Sequence, residues 1–442
     1  MADVKVAVKI LSELKSFVMQ VASQEVVLDC FRRSNRDFTR NRKLPFDRLV
    51  LLIAKLCKKT LSIELEQFFK ELGLENGCSV SAFTQQRIKL KASFFHWWNQ
   101  VLWQSYYHYS GESTKRWKGL RVIAVDGSNI SLLNTPALTK HFGGQSNSHG
   151  NFTQAKTFYY YDVLNELVLY PRIEPYRYGE VQMAYEGISQ LSADMLVIYD
   201  RYFCSYKMFA LHLWAEQPIP FIIRGNENQR MVKEFITSGK RSEIVQLAPT
   251  CPAIASLKKS GFIITPKTLL EVRLIRVELE KTVEVLVTNL TEANGYSDDQ
   301  FKELYFLRWG VETNISVQKN IMQLESFSGL TVESVEQDFY ATVFMANLHS
   351  VLIKDAQSTV NQLSKHKKYP MKVNRNKSFG KLKTSLVSLF IEHQPEQILL
   401  ILHGHFIRDT LPVRKNRTFA RIRKNKPGRS KHRTYSNYKP AC

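Results

Sequence analysis

The sequence predicts an α/β protein: a sheet-based core preceded by an all-helical N-terminal domain, interrupted by an inserted mainly-β subdomain and followed by a basic C-terminal tail. Three observations predict it. Up to about residue 110 the apolar residues recur at helical spacing, as over 4–21, 46–57 and 63–72. From residue 118 onward, short wholly apolar runs such as Val122-Ile-Ala-Val125 and Met195-Leu-Val-Ile-Tyr199 alternate with helical spacing, as buried strands of α/β sheets do. Beyond Asp409 there are eleven Lys or Arg and no Asp or Glu.

At 442 residues the chain exceeds one ordinary core. Sixty-two Lys and Arg against 40 Asp and Glu leave a formal charge of +22, an excess that points to a polyanion, first of all nucleic acid. No apolar stretch is long enough to span a bilayer, and the first residues lack the apolar run of a secretory signal. Cys30, Cys57, Cys78, Cys204, Cys251 and Cys442 show no C-x-x-C spacing, so they read as reduced thiols of a cytoplasmic protein with no membrane partner.

The first domain, residues 1–110, reads as a helical DNA-binding domain. Gly73 closes the helix over 63–72, and Ser79 opens another that carries Gln85, Gln86, Arg87 and Lys89. A helix, a turn and a second helix of this composition can read DNA: Gln and Arg suit base edges, Lys suits phosphates. The alternative is a packing helix with a solvated face. The aromatic cluster from Trp97 to Tyr109 reads as core or domain interface.

Residues 118–225 and 285–355 form the expected core. Arg121 to Asp126 is a buried strand delivering a carboxylate at its end, where ligands gather in α/β sheets. Residues 134–151 read as a polar loop, 152–162 and 167–173 as a hairpin, and 180–191 as a helix. Met195 to Asp200 repeats the strand-and-aspartate device, and Pro220 to Gly225 is another short strand. Alternation in Glu271-Val-Arg-Leu, Arg276-Val-Glu-Leu and Val283-Glu-Val-Leu-Val makes 226–284 the β-rich insertion. Residues 332–354 form an apolar helix, 356–377 a basic connection, and 378–392 and 395–406 two more helices. All of 356–442 is a basic helical region and tail, its end free to lie along phosphates.

Tyr305, Arg308, Glu312 and Lys319 stand at relative positions that an α-helix brings into one strip about 60° wide. Phe306, Leu307, Val311, Ile315, Val317, Ile321 and Leu324 fill the opposite, buried arc, and Ser297-Asp-Asp-Gln300 reads as a capping box. Two strand-borne aspartates and a helical glutamate make a three-carboxylate constellation, the arrangement an RNase H-like core provides. Three such charges repel unless hard divalent cations lie between them, and Mg²⁺ suits carboxylate oxygen.

The Y-(2)-R-(3)-E-(6)-K spacing of Tyr305, Arg308, Glu312 and Lys319 resembles the signature of the DDE transposases of bacterial insertion sequences, the insertion-sequence-four family. Ser81-Ala-Phe-Thr-Gln-Gln-Arg87 is similar to that family's N-terminal region, and the resemblance covers most of the chain. It implies a β insertion before the glutamate helix. It makes Asp126, Asp200 and Glu312 the catalytic triad holding two Mg²⁺ per active site, with Mn²⁺ a substitute. Tyr305, Arg308 and Lys319 would grip phosphates at the transposon end. The implied chemistry is two-metal cleavage at transposon ends and strand transfer into target DNA. The implied partners are the inverted repeats, target DNA and a second copy in a homodimeric paired-end complex, in the bacterial cytoplasm at the nucleoid. Some family members pass through a DNA hairpin, helped by a Trp in the insertion; this chain has no Trp between Trp214 and Trp309, leaving Phe235, Phe262 or Tyr296 as substitutes. Two other readings share part of these features: another RNase H-like nuclease or resolvase, and a DNA-binding derivative that no longer cuts.

Overall fold

The computed structural model describes residues 2–40, 42–147, 150–280, 282–291 and 295–414; the tail over 415–442 lies outside the described residues. The chain divides into two compact units. One comprises Met1–Thr114, Ile130–Ala155 and Ser316–Cys442, the other Lys115–Asn129 and Lys156–Ile315.

Six helices open the chain: α1 (Ala2–Ser23), α2 (Glu25–Phe31), α3 (Phe46–Ala54), α4 (Leu61–Glu71), α5 (Val80–Arg87) and α6 (Ser93–Ser110). Ile10, Leu14, Val18 and Val21 of α1 are buried, the stripe expected of its spacing. Gly73 follows α4 at φ 69°, and the Ser79 hydroxyl caps α5 by accepting from the Ala82 N–H at 3.2 Å. Trp98 and Trp103 are core residues; Trp98 stacks on Phe344 at 3.9 Å. Trp97 is half exposed.

After these come β1 (Arg121–Ser131), α7 (Pro136–Phe142), β2 (Gly144–Asn147), β3 (Gly150–Asp162), β4 (Leu167–Val168), β5 (Arg172–Pro175) and α8 (Glu180–Gly187). Residues 134–151 are therefore not a plain loop. Thr135 caps α7, Pro136 opens it, and Leu138 and Phe142, one helical turn apart, are buried. Then follow β6 (Met195–Tyr199), α9 (Tyr206–Leu213), β7 (Phe221–Arg224), α10 (Arg230–Ser238), β8 (Ser242–Leu247), α11 (Cys251–Lys259), β9 (Leu270–Glu278) and β10 (Val283–Thr288). In the second unit the strands run in the order β3-β1-β6-β7-β10-β9-β8. β1, β6 and β7 are mutually parallel; β10 is antiparallel to both β7 and β9, and β9 to β8. The stretch read as a mainly-β insertion thus contains two helices, and its strands extend the main sheet beyond β7.

The last elements are α12 (Asp298–Phe306), α13 (Trp309–Asn320), α14 (Val332–Leu363), β11 (Met371–Val373), α15 (Arg375–Ile391), α16 (Glu396–Arg408) and β12 (Thr410–Pro412). The expected basic connection over 356–377 is in its first part the end of α14, whose buried stripe continues through Ala356 and Val360, and further on it holds β11 and the start of α15. α14 is buried almost all round, so it threads the core of the first unit and pairs its polar residues internally.

One layer of the second unit decides where its chemistry sits. Val122, Leu196, Ile198, Ile222 and Leu286 occupy one face of the sheet, and α12 covers them with Phe301, Leu304 and Tyr305. Each aliphatic side chain so buried contributes roughly 1.5–3 kcal/mol. Among the described residues no helix is long and apolar enough to cross a membrane.

Candidate active site

Asp126 and Asp200 are 74 residues apart, the same offset by which β1 pairs with β6, from Arg121 with Met195 to Ala124 with Ile198. The paired register ends at Ala124 and Ile198; each aspartate follows two residues further along its own chain, Asp126 still within β1 and Asp200 one residue past the end of β6. Side chains alternate along a strand, so Asp126 falls on the face of Val122, the one α12 covers; Asp200 opens the turn after β6. The offset between β6 and β7 continues the row: Val197 pairs with Phe221 and Tyr199 with Ile223, which sets Arg224 beside Asp200. Asp126 is not at a strand end as expected. β1 runs on to Ser131 while its pairing with β6 ends at Ala124, so Asp126 lies just past the ladder and inside its strand. Each aspartate accepts at Oδ1 from the next backbone N–H, Gly127 at 2.9 Å and Arg201 at 2.6 Å.

The Tyr–Arg–Glu–Lys stretch is not one helix. α12 ends at Phe306 and α13 starts at Trp309. Between them, N–H groups bond three residues back, Arg308 to Tyr305 at 3.0 Å and Gly310 to Leu307 at 2.8 Å. Gly310 permits the approach: a Cβ there would stand 3.2 Å from Val163. The break changes the expected faces. Phe306, placed in the buried arc, is 70% exposed. Ser297 makes no capping bond, and Asp298 pairs instead with Arg273 at 2.6 Å.

Tyr305 and Arg308 are buried, while Glu312 accepts from Arg308 Nη2 at 2.9 Å and keeps 38% of its side chain exposed. Tyr305 Oη and Arg308 Nε are buried without a hydrogen-bond partner. Burial pushes the Tyr305 phenol well up, against the pull of Arg308, and Asp200 adds to the rise. Burial works against the charge of Arg308, but Tyr305, Glu312 and Asp200 together hold its pKa above the ordinary value. Asp126 is pushed up to about 6, chiefly by burial; the Gly127 N–H and Arg308 oppose this, and Glu312 and Glu180 add to it. Arg308 is thus the common neighbour, within electrostatic reach of Asp126, Asp200, Tyr305 and Glu312.

Among the described residues no three of His, Cys, Asp and Glu stand close enough to hold a metal ion as they are. The three expected carboxylates therefore do not stand together at coordinating distance, and Glu312 is bonded to Arg308. The chemistry of the donors nevertheless fits a hard divalent cation. Asp126 carries a burial penalty that a cation would relieve, and Glu312 and Glu180 add negative charge near it.

Residues that sequence reasoning did not single out complete the surroundings. Arg224 pairs with Glu284 at 2.9 Å, and its Nε is buried without a partner. Glu180, at the start of α8, is held by Lys156 at 2.9 Å and lies over Gly127, where a Cβ would come within 2.6 Å of its carboxyl carbon. Arg224 had a signal, a third short apolar run ending in a charged residue; Glu180 had none. Lys319 follows Glu312 by two turns of α13 and belongs to the first unit, 3.9 Å from Glu325, with its pKa lowered by burial. Of the proposed substitutes for the missing Trp, Phe235 is buried, Phe262 packs on Trp214, and Tyr296 stacks on Trp117 at 5.4 Å.

The DNA-reading role expected of Arg87 does not survive. Its side chain is buried, and Nε, Nη1 and Nη2 donate to Gln337, Ser328, the Ser334 carbonyl and Asp338 at 2.6–2.8 Å. With four of its five N–H groups so engaged inside the protein, this guanidinium is held away from a base edge. Gln86 is likewise buried, donating to the Leu44 carbonyl at 3.0 Å. Lys89 reaches the surface, its ammonium 2.9 Å from Gln86 Oε1.

Known proteins bear on this site. Residues 117–348, over half of the chain, match the family described as the transposase DDE domain. The chain is similar to transposase InsG for insertion sequence element IS4 of Escherichia coli (strain K12): 23% identity over 334 residues, 70% of this chain and 69% of that one. It aligns weakly, at a TM-score of 0.42 and 10% identity, with a piggyBac transposase solved in a synaptic complex with hairpin DNA, covering 97% of this chain and 89% of that one.

Proposed function

The chain belongs to the DDE transposases, enzymes that cut and join DNA, and from that premise we propose that Asp126, Asp200 and Glu312 hold its divalent ions on an RNase H-like core. The observation that supports the assignment is that Asp126 and Asp200 each follow by two residues the last pair of the β1–β6 ladder, with Arg308 acting on both and on Glu312. Glu312 joins them by way of the turn after α12, which carries it to the same electrostatic neighbourhood. When bound, two Mg²⁺ ions (or Mn²⁺) supply the Lewis acidity that activates water or a 3′-hydroxyl and stabilises the departing oxygen.

The protein's own groups bind and orient the DNA strand. Arg308 and Tyr305 each carry a buried donor without a partner, which suits a phosphate oxygen arriving beside the carboxylates. Engagement of that phosphate by Arg308 competes with Glu312 and frees its carboxylate to turn toward the aspartates. Arg224, next in the row after Asp200, extends the positive rim, and Lys319 grips the strand further along. The substrates are the inverted repeats at the transposon ends and target DNA. Paired ends call for two copies of the chain, acting in the bacterial cytoplasm at the nucleoid.

Asp200→Asn tests the assignment. With matched element ends and Mg²⁺ it is expected to lose cutting and joining by at least about a thousandfold while end binding stays near that of the parent. Parental cleavage by the variant would remove Asp200 from the chemistry.

A further inference from the structure

We propose that the loop between α2 and α3, with Lys89 at the end of α5, is a preformed grip for DNA backbone phosphates. The loop is fastened from within. Arg32 is buried, bonded to Asp29 at 2.6 Å, to Glu25 at 3.0 Å and to the Asp37 carbonyl at 3.1 Å. The Arg33 N–H donates to the Lys89 carbonyl at 3.0 Å, and the Lys91 N–H to the Phe31 carbonyl at 2.8 Å, which ties the loop to the chain leaving α5. Phe38 sits at φ 62° with its ring edge-on to Phe46 at 5.5 Å.

With Arg32 and Phe38 as anchors, the remaining cations are turned outward. Arg36, Arg40, Arg42 and Lys89, with Thr39 and Gln86, line a hollow of about 260 Å³. The three arginines are exposed, and among the described residues none of the four cations forms an ion pair. Arg33 differs, being paired with Glu333. The acids at hand are turned away: Asp29 and Glu25 hold Arg32, and Asp37 Oδ2 accepts from the Ser34 N–H at 3.0 Å.

Four like charges around one hollow repel one another, and a polyanion relieves that repulsion. Guanidinium forks match phosphate oxygens two at a time. Because Arg32, Phe38 and the Arg33–Lys89 backbone bond already fasten the described part of the loop up to Phe38, binding orders less that was free there. Nothing in the hollow is arranged to read a base edge, so the contact is sequence-blind. The family supplies the identity of the polyanion and nothing else in this inference.

The test measures duplex binding by the full chain against salt. Neutralising Arg36, Arg40 and Arg42 together (Arg36→Gln, Arg40→Gln, Arg42→Gln) is expected to flatten the slope of log affinity against log salt by about 2 to 3, at about 0.9 per phosphate contact. The loss is expected to be the same on element ends and on scrambled duplex. In the unmodified protein, bound duplex is expected to shield these three arginines from an arginine-selective dicarbonyl reagent. An unchanged slope in the folded triple variant, equal labelling with and without duplex, or capture of anionic vesicles in preference to duplex would each overturn the proposal. Asp200→Asn is expected to keep the parental slope. A failed cleavage assignment beside a flattened triple-variant slope therefore leaves this grip standing, and the reverse result removes the grip alone.

Discussion

Arg87 and Arg308 look alike in sequence, each a helical arginine among polar neighbours, and each is buried beside a carboxylate. Their surroundings differ in the way that separates scaffold from site. Arg87 and its partner Asp338 expose only 4% and 5% of their side chains, 2.7 Å apart, and Gln337, Ser328 and Ser334 take three more of its donors. Arg308 pairs with a Glu312 that reaches solvent, and its Nε is left without a partner. A closed network fixes one arrangement. An open one retains donors for a ligand, and its carboxylate can move without being stranded in the interior.

The sharpest way to break the comparison is to remove each guanidinium and read stability. Arg87→Ala leaves the Asp338 carboxylate buried and uncompensated, and is expected to cost about 3–5 kcal/mol. The denaturation midpoint of the first unit should fall accordingly. The double variant Arg87→Leu, Asp338→Leu should recover much of the loss, because no charge then remains to be buried. A cost below about 1 kcal/mol for Arg87→Ala would show that the network is not closed.

Asp126 gives the next largest effect, with the opposite sign. Its pKa in the folded protein, about 6, lies above the ordinary 3.8, so burial disfavours its ionised form. The stability it contributes is full below its ordinary pKa and is lost as pH rises through about 6. Asp126→Asn is therefore expected to stabilise the metal-free protein by roughly 2–3 kcal/mol at pH 7.5 and by little near pH 4. Added Mg²⁺ should raise the melting temperature of the parent at pH 7.5 and leave that of the variant nearly unchanged. Parallel melting curves of parent and variant across this range would mean that the carboxyl is not held in the burial described.

How much of this could be read beforehand depends on the range over which each feature is decided. Asp126 and Asp200 were legible because a buried strand followed by a carboxylate is a local pattern, and Arg224 carries the same pattern with the opposite charge. That the strands before them pair in parallel, β1 with β6 and β6 with β7, is written in no single stretch. The break at Leu307 and Arg308 was hidden because helical spacing continues across it. Its accommodation depends on Gly310 against Val163, far away in sequence. Arg87 misled for the same reason: residue type and helix position suggested a surface, and the acid that buries it, Asp338, lies 251 positions on. Local chemistry is visible in sequence; whether a polar group ends up satisfied is decided by partners from elsewhere.

The smallest stability effect is expected at Arg308, and it sharpens the contrast most. Arg308→Gln removes a charge whose partner, Glu312, can turn to water, so the fold should lose no more than about 1 kcal/mol. Its expected cost falls on DNA. Binding to element ends should weaken, and the slope of log affinity against log salt should flatten by about 0.9, the share of one phosphate contact. Glutamine retains polar atoms but neither the charge nor the fork, so lysine at the same position should restore the salt slope without restoring full affinity. If Arg308→Gln destabilised the fold as strongly as Arg87→Ala, Arg308 would be scaffold after all, and its orphaned Nε would need an explanation inside the protein rather than at a phosphate.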